Sequence, residues 1–215
     1  THHLYIIIIY IFLIQIILIL FYYLNNTILI QMMMDSDWKY VTKNYAEGKE
    51  GTVSVISING TNAILKQFKP QKSINKLNRE AMLQQEAYEL GIAPEVYTVD
   101  TRAKRIFMQG VEHRLVDTAK ARNPPELTTD EEQQIICMYE CLDENGIFHN
   151  DGNALNIMHH PNGQVVIIDY GMAKHITTKL RNKAPEGPNI KYSWAMLKRS
   201  LRHHGIKAWD NLEKK

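Results

Sequence analysis

Between His149 and Lys174 the chain reads HNDGNALNIMHHPNGQVVIIDYGMAK, and three of its residues have types suited to one chemistry. Asp151 and Asn156 stand five positions apart, and Asp169 follows beyond a short apolar hairpin. Ile157-Met158 and Val165 to Ile168 read as two strands joined through Asn162-Gly163, a strong short-range hairpin signal. That hairpin would return Asn156 and Asp169 to one rim. A carboxylate and a carboxamide side by side offer the hard oxygens that Mg²⁺ shares with phosphate. Asp151 is then left to face an attacking hydroxyl, and the pattern points to phosphoryl transfer.

The elements that must position these groups lie mostly upstream. From Trp38 the pattern turns to short strands, and Tyr45 to Val53, YAEGKEGTV, carries Gly48 and Gly51. Glycines there let a backbone approach phosphate oxygens without a Cβ in the way. Val53 to Ile58 alternates as a strand, Asn59-Gly60 turns it, and Ala63 to Lys66 returns with a lysine closing the apolar run. A helix follows over Ser73 to Leu90, with Ile74, Leu77, Ala81 and Tyr88 near helical spacing, Glu80 in its middle and a stop at Gly91. Val96 to Val99 and Arg105 to Met108 read as the next strands. After Asn123-Pro124-Pro125, a capping box at Thr129-Asp130-Glu131-Glu132 opens a helix through about Asp143. Its Ile135, Ile136, Met138 and Leu142 should pack under the Asp151 loop. Ile190, Trp194, Leu197 and Leu201 predict one more amphipathic helix, ended by Gly205.

HNDGNALN resembles the protein-kinase catalytic loop H-x-D-x-x-x-x-N, and Asp169-Tyr170-Gly171 resembles its D-F-G element with Tyr for Phe. Tyr45 to Val53 resembles the glycine-rich loop with Ala46 at the first glycine, Gly48 and Gly51 at the others, and Val53 closing it. Lys66 matches the strand lysine of V-A-I-K, and Glu80, in preference to Glu86, the helix glutamate that pairs with it. The likeness is to small atypical kinases of the RIO-like and KEOPS-associated kind, to aminoglycoside and choline phosphotransferases, and to short kinase-like proteins of large DNA viruses. It implies an α+β, two-lobed protein-kinase-like fold over residues 35–215, with an N-lobe at about 38–108 and a C-lobe at about 112–215. That C-lobe is expected to be truncated and mainly helical, since 44 residues follow Gly171.

The resemblance also implies roles. ATP would lie against Gly48, Gly51 and Val53, with adenine at the hinge between Met108 and Val111 and its phosphates at Lys66, which Glu80 orients. Asn156 and Asp169 would hold Mg²⁺, Asp151 would align the acceptor hydroxyl, and His149 would orient the loop. A serine/threonine protein kinase acting on a protein hydroxyl is the first implication; a small-molecule phosphotransferase and a pseudokinase scaffold are the alternatives. Three further positions depart from the family pattern. Asn150 replaces the Arg that receives an activation-loop phosphate, which implies activity without that modification. Ile64 replaces a small residue over the adenine, and Asn153 replaces a common Lys, which leaves the acceptor open.

Two hundred and fifteen residues suit one domain with an appendage. Leu4 to Leu24 is apolar but for Gln15, long enough for a transmembrane anchor; the Met-rich stretch after it equally suits translated upstream sequence over 1–31. The net charge of +2 hides a tail, Lys174 to Lys215, with eleven Lys/Arg against three acidic residues, which an acidic protein or RNA partner would complement. Cys137 and Cys141, one helical turn apart, read as core or half-buried thiols rather than a disulfide. A reducing cytoplasmic setting follows, with the kinase-like region on the cytosolic side if residues 4–24 are an anchor.

Overall fold

The computed structural model describes residues 38–208 apart from Glu112 and Pro161, so the apolar run at 1–31 lies outside the described residues. Among the described residues no helix is long and apolar enough to cross a membrane. Strands β1 (Lys39–Glu47), β2 (Gly51–Ile58), β3 (Thr61–Phe68), β4 (Val96–Asp100) and β5 (Arg105–Gln109) form an antiparallel sheet in the order β1-β2-β3-β5-β4. The period-two alternation of β3 sends Ala63 and Leu65 to one face, with Ile56, Ile58 and Phe107. It sends Ile64 and Phe68 to the other, against Leu77 and Ala81 of helix α1 (Ile74–Glu89). Lys66 shares the parity of Ile64 and Phe68 and therefore faces α1.

The side chain of Ser73 caps α1 by accepting from the Lys76 amide, and Gly91, at φ +75°, ends it. The expected apolar stripe needs correction at its ends. Ile74 and Tyr88 are exposed, whereas Glu80, Leu83, Gln84 and Ala87 join Leu77 and Ala81 on the buried face. The helical period was right, but two of the inward positions carry polar residues, and hydrophobicity alone passes over them.

The described residues after β5 are mainly helical: α2 (Leu115–Lys120), α3 (Thr129–Glu144), α4 (Thr178–Lys183) and α5 (Trp194–His203). Two small ladders join them, β6 (His113–Arg114), β8 (Ile157–His159) and β9 (Val165–Ile167) in one, β7 (Ile147–Phe148) and β10 (Lys174–His175) in the other. The architecture is α+β and protein-kinase-like. Ile135, Tyr139, Leu142, Trp194, Leu197 and Leu201 lie in one core, where full burial of each leucine contributes about 2 kcal/mol. Met138 is buried there as well, with Ile136 half-buried beside it.

Two expectations are corrected here. The cap of α3 is Thr128, with Glu131 as its reciprocal partner. Thr128 and Thr129 both precede a glutamate by three positions; Arg122, which grips Glu131 at 2.6 and 2.7 Å, adds a tertiary reason for the earlier one. Cys137 is exposed rather than core, while Cys141 is half-buried, and both thiols are free.

The last helix does not start as a plain α-helix. A π-turn over Asn189–Ser193 precedes α5, and it brings the amides of both Asn189 and Ile190 to the Asp143 carboxylate. The Asn189 side chain is fully buried; its Nδ2 donates to Asp143 and to the Ile147 carbonyl, and its Oδ1 accepts from the His149 amide at 2.9 Å. One amide thus joins the end of α3, β7 and the start of the Asp151 loop. Asn189→Leu strands these buried partners and should lower unfolding stability by about 2–4 kcal/mol, measured by denaturant titration. A loss under about 0.5 kcal/mol would show that the node carries little.

Candidate active site

The turn between β1 and β2 is tighter than the sequence pattern suggests. Ala46 is still in β1, paired with Val53, so only Gly48, Lys49 and Glu50 make the connection, closed by the Gly48 amide on the Gly51 carbonyl at 2.9 Å. Its two glycines do different work. A Cβ on Gly51 would lie 2.2 Å from the Gln67 carbonyl oxygen of β3, whereas one on Gly48 would make only an ordinary contact, 3.9 Å from the Gly51 carbonyl oxygen.

Below this turn lies a cleft of about 540 Å³, large enough for a nucleotide. Gly48, Gly51, Val53 and Ile64 line its sheet side, Met108 and Val111 the strand-to-helix connection, and Asn156 and Asp169 its far end. Leu155, Met158 and Ile168 supply an apolar floor that the spacing of motifs did not reveal.

At the inner end, Lys66 Nζ donates to Glu80 Oε1 at 2.5 Å and to Asp169 Oδ1 at 2.7 Å. Glu86 sits elsewhere on α1, outside its buried face. Burial disfavours the Lys66 ammonium, but the Glu80 and Asp169 carboxylates outweigh it and hold the lysine charged well above its ordinary range. Asp169 answers in kind: burial would raise its carboxyl, yet the Lys66 ammonium and the Gly171 amide hold it below the usual carboxylate range. Asp169 also adopts φ +64°, a left-handed conformation rarely taken by non-glycine residues, which turns its side chain back toward Gly171.

The Asp151 loop is held by His149. This fully buried ring places Nδ1 2.9 Å from the Asp151 carbonyl and Nε2 3.1 Å from the Ile168 carbonyl, so it lies wedged between the two carboxylate-bearing segments and, when neutral, donates its one N–H to one of them. It packs edge-on against Tyr170 with centroids 4.8 Å apart. Asn150 takes φ +62°, which asparagine tolerates better than most side chains, and donates to the Met172 carbonyl. Asp151 is half-buried and accepts from the Asn153 amide at 3.1 Å. The Asn156 carbonyl accepts from the Ile168 amide at 2.9 Å, which sets Asn156 beside Asp169. Its side-chain nitrogen is buried with no partner among the described residues. The side-chain oxygen of Asn156 and the Asp169 carboxylate beside it are hard oxygens of the kind that fit Mg²⁺ completed by phosphate oxygens.

The cleft and the segments around it have a kinase-like layout, and comparison with known families agrees on that fold. Residues 73–186 match the ABC1 atypical kinase-like domain. The chain belongs to the ABC1 atypical kinase-like family. The matched segment contains Glu80, the loop from His149 to Asn156, and Asp169, while Lys66 and the glycine turn precede it. ABC1 membership places the chain in the protein-kinase-like superfamily and lends no support to the RIO-like, KEOPS-associated or viral likeness. No curated protein matches the chain.

Sequence reasoning passed over three supporting residues of this ABC1 site. Gln84 reaches from α1 to the Pro94 carbonyl and the Met108 sulfur at the cleft wall. Asn189 carries the loop from below, and Lys72 joins the charges at the phosphate end. Only the helical phase of Gln84 could have flagged one of them.

Burial pushes the His149 imidazole below its ordinary value of 6.5, against the opposing pull of Asp151, the Ile168 carbonyl and Asp169. The unfolded chain therefore takes up a proton near that value that the folded chain resists. Stability from this group is complete above it and is lost as pH falls through the lower folded value. Unfolding free energies measured from about pH 7.5 down to 5.5 should fall more steeply for the parent than for His149→Asn. Equal slopes would show that the ring is not held neutral.

Proposed function

We propose that the protein is an ATP-dependent phosphotransferase that moves the γ-phosphate to a serine or threonine hydroxyl of a protein substrate. The observation that carries this reading is Lys66 held between Glu80 and Asp169 at the closed end of the cleft. A lysine kept charged there by two carboxylates is poised for phosphate oxygens. Lys66 would orient the α and β phosphates, with Glu80 fixing its direction. Asn156 and Asp169 would hold Mg²⁺, which would offset the charge of the phosphates. Asp151, presented by the loop that His149 anchors, would accept a hydrogen bond from the hydroxyl and align it with the γ-phosphate. Gly48, Gly51 and Val53 would cover the nucleotide, and Met108 to Val111 would meet its base.

The functional unit in this reading is residues 35–215, divided near the Met108 to Val111 connection, and it works in the cytoplasm. The basic face after Lys174 would favour an acidic protein or RNA partner, and a membrane enters only if residues 4–24 are an anchor.

The test uses the full chain with γ-labelled ATP and Mg²⁺, followed for label on protein. Asp151→Ala should lower kcat by about 10²–10⁴-fold while Mg·ATP binding stays within about twofold. Asp169→Ala should lose nucleotide affinity as well. Parent-level turnover in either variant would contradict the assignment, and nucleotide binding without protein labelling in the parent would point to a small-molecule acceptor.

A further inference from the structure

Lys72 belongs to no motif. It lies in the short connection between β3 and α1, yet its side chain is only 5 % exposed. Its ammonium donates to Glu50 Oε2 at 2.5 Å and to Glu80 Oε2 at 2.9 Å, and it rests over the Phe68 ring at 4.6 Å. Glu50 is a residue of the glycine turn itself. Glu80 presents its other oxygen, Oε1, to Lys66. The charges therefore alternate along one path, Glu50, Lys72, Glu80, Lys66, Asp169.

The path closes on itself at Gly171. A Cβ there would stand 3.1 Å from Glu50 Oε2 and 3.2 Å from both Asp169 Oδ1 and Glu80 Oε2. The carboxylates at the start, middle and end of the path thus converge on one glycine, with Lys66 and Lys72 threaded between them. The backbone repeats the connection, since the Lys69 amide donates to the Glu50 carbonyl at 2.9 Å. A buried ammonium serving only to pack on Phe68 would be costlier than an aliphatic residue in its place.

We propose that Lys72 is a positioning residue of the nucleotide site. It clasps the glycine turn to α1 through Glu50 and Glu80, and so couples the closure of that turn to the Lys66–Glu80 pair. The consequence for nucleotide rests on the phosphotransferase reading; the clasp itself does not.

Amide hydrogen exchange on the full chain without nucleotide reads the clasp directly, because the Gly48 and Lys69 amides are held by the turn's own carbonyls, Gly51 and Glu50. Lys72→Met and Glu50→Gln should each speed exchange of both amides by about tenfold, and the double variant should add little further. Lys72→Arg should restore slow exchange. For Mg·ATP the same variants should raise KM by a similar factor with a smaller change in kcat, a split that loss of general stability would not produce. Unchanged exchange in the single variants, or full additivity in the double, overturns the clasp whether or not nucleotide binds. Faster exchange in a chain that binds no Mg·ATP leaves the clasp standing and overturns the phosphotransferase reading instead. If Lys72→Met fails to fold, Glu50→Gln, at a half-exposed carboxylate, carries the test.

Discussion

Glu80 is the constraint around which the cleft is built. Its carboxylate is 2 % exposed, in a region where an unpaired charge would cost several kcal/mol. Two lysines compensate it, one on each oxygen; Lys72 is itself buried and Lys66 half-buried. Neither lysine can move freely, because removing it would leave the shared carboxylate with half its partners. The sheet, the α1 face and the glycine turn are therefore locked together by charge pairing as much as by the apolar contacts of Phe68, Leu77 and Ile106. This arrangement also explains why α1 carries Glu80 and Gln84 on its inward face. The helix packs through Leu77, Ala81, Leu83 and Ala87, and the polar pair occupies the strip that borders the cleft.

A second lock works from below through hydrogen bonds. Asp143 accepts from two backbone amides and one side-chain amide at the start of the π-turn, and Asn189 passes that order to the His149 amide. His149 then packs between the Asp151 and Ile168 carbonyls and, when neutral, donates its one N–H to one of them. The segments that carry Asp151 and Asp169 are thus positioned by backbone contacts to one buried ring. Strain at Asp169 and Asn150, both at positive φ, persists because the neighbours on either side are fixed. Tyr170 fills the space beside His149 with a fully buried ring, and burial pushes its phenol well above the ordinary tyrosine range, so it stays neutral.

Local pattern sufficed wherever the information was periodic or carried by turn chemistry. The β2–β3 hairpin follows from alternation around Asn59-Gly60, the β8–β9 hairpin from Asn162-Gly163, and α1 from its caps at Ser73 and Gly91. The types and spacing of Asp151, Asn156 and Asp169 were enough to suggest phosphoryl transfer, because few other functions need an amide and two carboxylates around one hairpin. Lys66 was legible as the lysine that ends the apolar run of β3, although the strand itself continues to Phe68, and Glu80 as a carboxylate midway along the next helix.

Other features were decided by contacts between segments distant in sequence. Thr128 and Thr129 are equivalent as local caps, and the Arg122 grip on Glu131 is a tertiary contact that no capping pattern contains. The glycine turn is short because β1 continues through Ala46, opposite Val53, a register set by pairing rather than by glycine spacing. Lys72 and Asn189 carry no periodic or motif signal; their roles depend on Glu50 and Glu80 in one case and on Asp143 and His149 in the other. Sequence by itself determined most of the elements and nominated the candidate groups, because propensity and residue chemistry are local. Only the tertiary structure decided which charges share a partner and what holds the loop, because pairing of buried groups depends on what the fold brings within hydrogen-bond reach.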